Sequence, residues 1–189
     1  MQNNIKSMIQ ESAETKRIVG ETLTPQIEKA TKLIVDAFKS NKKILIAGNG
    51  GSASQASHFA AELVGRYKTE RKGLPAIALT TDLAAITAIG NDYGFDDIFK
   101  RQIEALGNEG DVFIALSTSG NSKNLIKAVE KAKELNLHVI GLLGRDGGKL
   151  KNTSNVEIIV PSHNTPRIQE AHLMILHIIC ELVENRLAK

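Results

Sequence analysis

Two groups of polar side chains could carry chemistry in this chain. His58 and Glu62 stand four residues apart within Gly48–Arg66, GNGGSASQASHFAAELVGR, and Gln169, Glu170, His172 and His177 gather near the C-terminus. A spacing of four places two side chains on one face of a helix, where an imidazole and a carboxylate can pass protons or share an ion. Together the groups offer imidazoles, carboxylates and an amide, a mixed N/O set that suits zinc. On a straight helix Gln169 and His177 lie about 12 Å apart along the axis, from a rise of ~1.5 Å per residue. A single small ion spans that distance only if long side chains converge or if different copies of the chain contribute.

The helix of His58 and Glu62 opens on a glycine turn, Gly48-Asn49-Gly50-Gly51-Ser52. A second turn of the same kind, Ser117-Thr118-Ser119-Gly120-Asn121-Ser122, leaves another apolar strand and enters another helix. Backbone N–H groups and hydroxyls converging on a helix N-terminus hold an anion such as phosphate without a lysine. Serine and threonine also cap helices for structural reasons, so either turn alone is weak evidence. Two such turns released by neighbouring strands point to a phosphorylated ligand. Nucleotides fit less well: the first turn lacks the third glycine of the dinucleotide pattern, and no Gly-x-x-x-x-Gly-Lys-Ser/Thr occurs.

These turns need a scaffold, and the apolar pattern supplies one. Short β-branched runs, 43–47, 76–79, 112–116, 138–143 and 156–160, alternate with helical segments at 52–66, 82–90, 95–106 and 122–135. That alternation predicts a three-layer α/β sandwich around a five-stranded parallel sheet, with ligands at the carboxyl ends of the strands. Two N-terminal helices precede it, the second starting near Thr24 with Pro25 in its first turn. They either pack on a neighbouring copy or cover their own sheet. A long amphipathic helix, 166–187, closes the chain. Its apolar residues Ile168, Leu173, Leu176, Ile179 and Val183 exceed what capping its own sheet needs, which predicts packing near a neighbouring subunit. The 189 residues read as one domain, with 1–40 as a helical extension.

Composition narrows the class further. Hydrophobic residues make up 42% and charged residues 24%, with a net charge of only +3, ordinary for a globular protein and without a nucleic-acid footprint. No Trp and 4% aromatics argue against base-stacking platforms. The one cysteine, Cys180, sits among apolar residues and reads as a buried thiol in a reducing compartment. The N-terminus lacks the apolar core of a signal peptide, and no run is long enough to span a bilayer. The expectation is a cytoplasmic protein without membrane or nucleic-acid partners.

The chain resembles the phosphoheptose isomerases of the sugar-isomerase (SIS) domain superfamily, whose sheet is flavodoxin-like. The resemblance is carried by GNGGSA with HFAAELVGRY at 48–67, ITAIGNDYGFDDIF at 86–99, LSTSGNS at 116–122, GLLGRDGG at 141–148 and RIQEAHLMILH at 167–177. Leu83 departs from the pattern, where a short polar residue is expected after Asp82. The resemblance implies reversible conversion of D-sedoheptulose 7-phosphate into D-glycero-D-manno-heptose 7-phosphate, the first step toward bacterial heptoses for lipopolysaccharide core or capsule. It also implies a homotetramer with one zinc ion per active site, held by His58, Glu62, Gln169 and His177. Substrate contacts would fall on Asn49, Gly50, Gly51, Ser52, Glu62, Asn91, Asp92, Ser117, Thr118, Ser119, Ser122 and Gln169. Such an isomerisation moves a proton between adjacent carbons through an enediol, with Glu62 the candidate base and His177 the candidate acid. Two alternatives remain: a noncatalytic SIS tetramer that binds the replication initiator DnaA, or another sugar-phosphate isomerase. Presence of the full His58, Glu62, Gln169 and His177 set favours catalysis.

Overall fold

The computed structural model describes residues 1–187. Five strands, β1 (Ile44–Gly48), β2 (Ala76–Ala78), β3 (Val112–Ser117), β4 (His138–Gly144) and β5 (Val156–Val160), form a parallel sheet in the order β2-β1-β3-β4-β5. Successive side chains of a strand face opposite ways, and here both faces are buried. Ile44, Ile46, Ile114 and Leu142 join one apolar core, while Leu45, Ala47, Phe113, Ala115 and Leu143 join the other.

The first face is covered by α2 (Thr24–Lys39), α3 (Gly51–Val64) and α7 (Thr165–Leu187), and the second by α5 (Ile98–Leu106) and α6 (Lys123–Glu134). Helix α2 starts with proline in its first turn, which loses no intrahelical hydrogen bond there. Its Ile27, Ala30, Ile34 and Val35 are buried in the sandwich, so this helix covers its own sheet. Helix α1 (Gln2–Thr22) lies outside, burying only Thr15 and Val19. It is held to the start of α7 by Ser12, which donates to Glu170, and by Arg167, which donates to the Met8 carbonyl.

Of the apolar residues of the terminal helix, Ile168, Leu176, Ile179 and Val183 are buried within this chain, where α7 packs against α1, α2 and α3 as well as the sheet. Leu173 and Met174 are half-buried, and Ile178 is exposed. Other large apolar side chains that stay exposed are Ile5, Met8 and Ile9 on α1, and Leu83, Tyr93 and Phe95 in or beside α4 (Leu83–Asp92). Helix α4 has no buried residue, although Asp82 caps its first turn by accepting from the Ala85 N–H at 2.9 Å. No described helix is long and apolar enough to cross a membrane.

Candidate active site

The chain leaves β1 toward β2 on one side and reaches β3 on the other, so the loops after β1 and β3 depart side by side from the paired ends Gly48 and Leu116. This is the switch point at which open α/β sheets bind ligands. A reciprocal amide pair locks the loop after β1 to the first turn of α6, which follows the other loop: Asn49 donates to Asn124 Oδ1 at 3.0 Å, and Asn124 donates to Asn49 Oδ1 at 2.9 Å. Gly50, the N-cap of α3, has φ +55, a positive value that glycine adopts without strain.

The serine loop is braced internally. Ser117 Oγ accepts from the Gly120 N–H, and Ser119 Oγ accepts from the Asn121 N–H. Ser122 stands at the N-cap of α6, yet its hydroxyl makes no capping bond, which leaves it available to a ligand. Behind the loop, the segment after β4 presses on Gly120. A Cβ there would stand 1.8 Å from the Gly147 carbonyl oxygen, so no other residue fits. The Lys149 N–H donates to Asn121 Oδ1 and the Leu150 N–H to the Gly120 carbonyl. The GLLGRDGG stretch therefore acts as a backstop for the serine loop, a task that its sequence alone did not reveal.

Helices α3 and α7 pack against each other, and they bring part of the predicted set together. His58 Nε2 lies 3.0 Å from Glu62 Oε1, and the His177 ring meets the His58 ring edge-on with centroids 5.0 Å apart. Tyr67, which the sequence reading did not single out, packs against His177 at 5.8 Å. A hollow of about 470 Å³ opens beside them, bordered by Lys16, Tyr67, Glu170, His177 and Glu181. Gln169 is placed elsewhere: its amide packs on Gly51 so closely that a Cβ there would meet it at 2.7 Å. The Gln169 carbonyl accepts from Gln55 Nε2 at 2.7 Å, another contact the sequence gave no sign of. Asn91 and Asp92 are exposed at the end of α4, where Asn91 Nδ2 donates to Asp92 Oδ1.

The donors gathered here can be tested against zinc. Two ligand atoms on a tetrahedral zinc stand about 3.3 Å apart, given bonds of ~2.0–2.2 Å, close to the 3.0 Å between His58 Nε2 and Glu62 Oε1. The donor types and their neighbourhood fit the metal. Among the described residues, however, no three His, Cys, Asp or Glu side chains are already arranged around one point.

His172 is different in kind. It is fully buried, with Nε2 2.9 Å from the Leu143 carbonyl oxygen and Nδ1 without a partner. Burial outweighs that hydrogen bond and pushes its pKa down to about 4, so the ring is neutral. Cys180 is likewise buried, and burial pushes its thiol up to about 12, well away from a reactive thiolate. A larger hollow, about 640 Å³ and lined by Glu109, Lys133, His138 and Asn155, opens where the strands begin. Ligands of this fold class bind at the opposite, carboxyl ends.

The fold and the paired loops define a sugar-phosphate type of α/β domain, and comparison with known proteins narrows this. The SIS domain family matches residues 8–144. Phosphoheptose isomerase of Aliarcobacter butzleri is 55% identical over 175 residues, 93% of each chain. That of Geobacter metallireducens is 52% identical over 189 residues, the whole of both chains. The solved phosphoheptose isomerase from Francisella tularensis superposes with a TM-score of 0.94 at 42% identity, covering 97% of this chain and 98% of that one. The chain belongs to the phosphoheptose isomerase family.

Proposed function

We propose that this protein is an aldose–ketose isomerase that interconverts D-sedoheptulose 7-phosphate and D-glycero-D-manno-heptose 7-phosphate in cytoplasmic heptose biosynthesis. The observation that carries this reading is the meeting of His58, Glu62 and His177 in one chain, on helices whose other ends reach the glycine turn. In such a site the Ser119 and Ser122 hydroxyls and the first turn of α6 hold the phosphate. Glu62 takes a proton from the carbon beside the carbonyl and returns it to its neighbour, and His177 supplies and recovers the proton on oxygen. No proton or electron is gained or lost overall. Gln169, Asn49 and the Gly50–Gly51 backbone would orient the sugar hydroxyls.

His58, Glu62 and His177 would hold a zinc ion, which when bound polarises the substrate oxygen as a Lewis acid. Gln169 would complete that set only with both side chains extended along α7 or from a second copy of the chain. A homotetramer is part of the same reading, supported by the exposed Ile5, Met8 and Ile9 of α1 and by the exposed α4. The test is to give purified protein sedoheptulose 7-phosphate, then chelate and restore zinc. Formation of the manno-heptose 7-phosphate, lost on chelation and regained with zinc, is the expected result. Turnover only of a different ketose phosphate would reassign the substrate, and a full rate in metal-free protein would remove zinc from the scheme.

A further inference from the structure

The loop that follows α3 has little regular structure, yet two buried charges hold it. The Arg71 side chain is 7% exposed and the Glu184 side chain 2%, with Arg71 Nε 3.2 Å from Glu184 Oε1. Arg71 Nη2 donates to the Glu62 carbonyl at 2.9 Å, and Nη1 donates to the Leu63, Gly65 and Lys72 carbonyls at 2.9, 3.3 and 3.2 Å. A guanidinium is thus seated on the C-terminal carbonyls of the helix that carries His58 and Glu62, where helices leave acceptors unpaired and favour a cation. Glu184 accepts from the backbone N–H groups of Lys68 at 2.8 Å, Thr69 at 3.1 Å and Tyr67 at 3.4 Å. Burial opposes the Glu184 charge, but these donors hold its carboxyl below the usual range, so it is ionised.

Glu184 lies seven residues, two helical turns, beyond His177 on α7. One carboxylate of α7 therefore fixes the backbone of Tyr67, whose ring packs against His177, and pairs with the cation that clasps the end of α3. We propose that Arg71 and Glu184 are positioning residues for the proposed catalytic cluster: they set α3 against α7 and hold Tyr67 as the wall that fixes the His177 ring. This rests on the reading of Glu62 and His177 as the proton-transfer groups. Neither Arg71 nor Glu184 touches the substrate in it. A pair that served stability alone would be a poor investment, because buried ion pairs contribute little net stability over apolar replacements.

The experiment is a kinetic cycle on the intact enzyme with Glu184→Gln, Tyr67→Ala, the double variant and Arg71→Lys, each checked for fold and assembly by circular dichroism and sedimentation. Glu184→Gln and Tyr67→Ala should each lower kcat by about tenfold or more, since small misplacements of reacting groups cost that much, while KM changes little. The double variant should be no slower than the slower single one, because both act on the same ring. Arg71→Lys keeps the charge but loses the planar fork, so it should also lower kcat, which serves if Glu184→Gln fails to fold. Effects on kcat that multiply in the double variant, or well-folded Glu184→Gln or Arg71→Lys enzyme with wild-type kcat, would overturn the proposal. Glu62→Gln and His177→Asn run alongside as a separate check. If they keep full kcat, the proton-transfer reading fails; if they lose it while the positioning variants do not, only the clasp fails.

Discussion

At the scale of single residues, His172 shows how a histidine that stands among candidate site residues in the sequence can belong to the core. Its folded pKa of about 4 lies below the ordinary 6.5, so the unfolded chain binds the proton more readily. Stability is therefore full above pH 6.5 and falls as pH drops toward 4, by up to about 3 kcal/mol in this window. Urea midpoints followed from pH 7.5 to 4 should show the fall, and His172→Leu should flatten this part of it while lowering stability at neutral pH through the unpaired Leu143 carbonyl. Ser122 makes the opposite case, because its hydroxyl is free of capping duty. Ser122→Ala should raise KM for the sugar phosphate more than it lowers kcat, and should matter far less for the unphosphorylated sugar. Equal losses on both compounds would assign the residue a structural task.

At the scale of elements, most of the scaffold could be read from the chain because strands buried on both faces announce themselves as continuous apolar runs, as in Ile44–Gly48 and Val112–Ser117. Both loops were legible from their glycines and hydroxyls, and His58 and Glu62 from helical periodicity. What was not legible depends on contacts distant in sequence. Nothing local says that the backstop at Gly147 meets Gly120, that Tyr67 faces His177, or that α7 packs against α1, α2 and α3 as well as the sheet. For the same reason sequence spacing could separate Gln169 from His177 but could not say which of them joins His58. Helix α1 buries only Thr15 and Val19 within the chain. Removing residues 2–10 deletes Ile5, Met8 and Ile9, all exposed, so the chain should still fold with nearly unchanged thermal stability at low concentration. If the full-length chain assembles as proposed, the truncated one should sediment as a smaller assembly; the same number of subunits in both would show that α1 is not part of the interface.

At the scale of the whole molecule, His58 and Glu62 meet His177 within one chain. Mixed oligomers refolded from Glu62→Gln and His177→Asn chains should therefore recover no activity, because every site would lack one member of the cluster; partial recovery would mean that neighbouring copies exchange these residues. The packing of α3 along α7 has a further consequence, for the size of molecule that can be turned over. In the proposed reading the phosphate sits at the serine loop, beyond Gly51, and the proton transfer at Glu62; Gly51 and His58, which contacts Glu62, are about 10 Å apart along α3 at ~1.5 Å per residue. A rigid helix cannot shorten that interval, so it acts as a ruler. A sugar anchored by its terminal phosphate reaches Glu62 with its carbonyl only if its carbon chain is long enough. Five- and six-carbon ketose phosphates should bind through the phosphate and yet leave their reacting carbons short of the base, inhibiting the enzyme without being converted. Comparable kcat on a six-carbon ketose phosphate would show that the ruler does not operate.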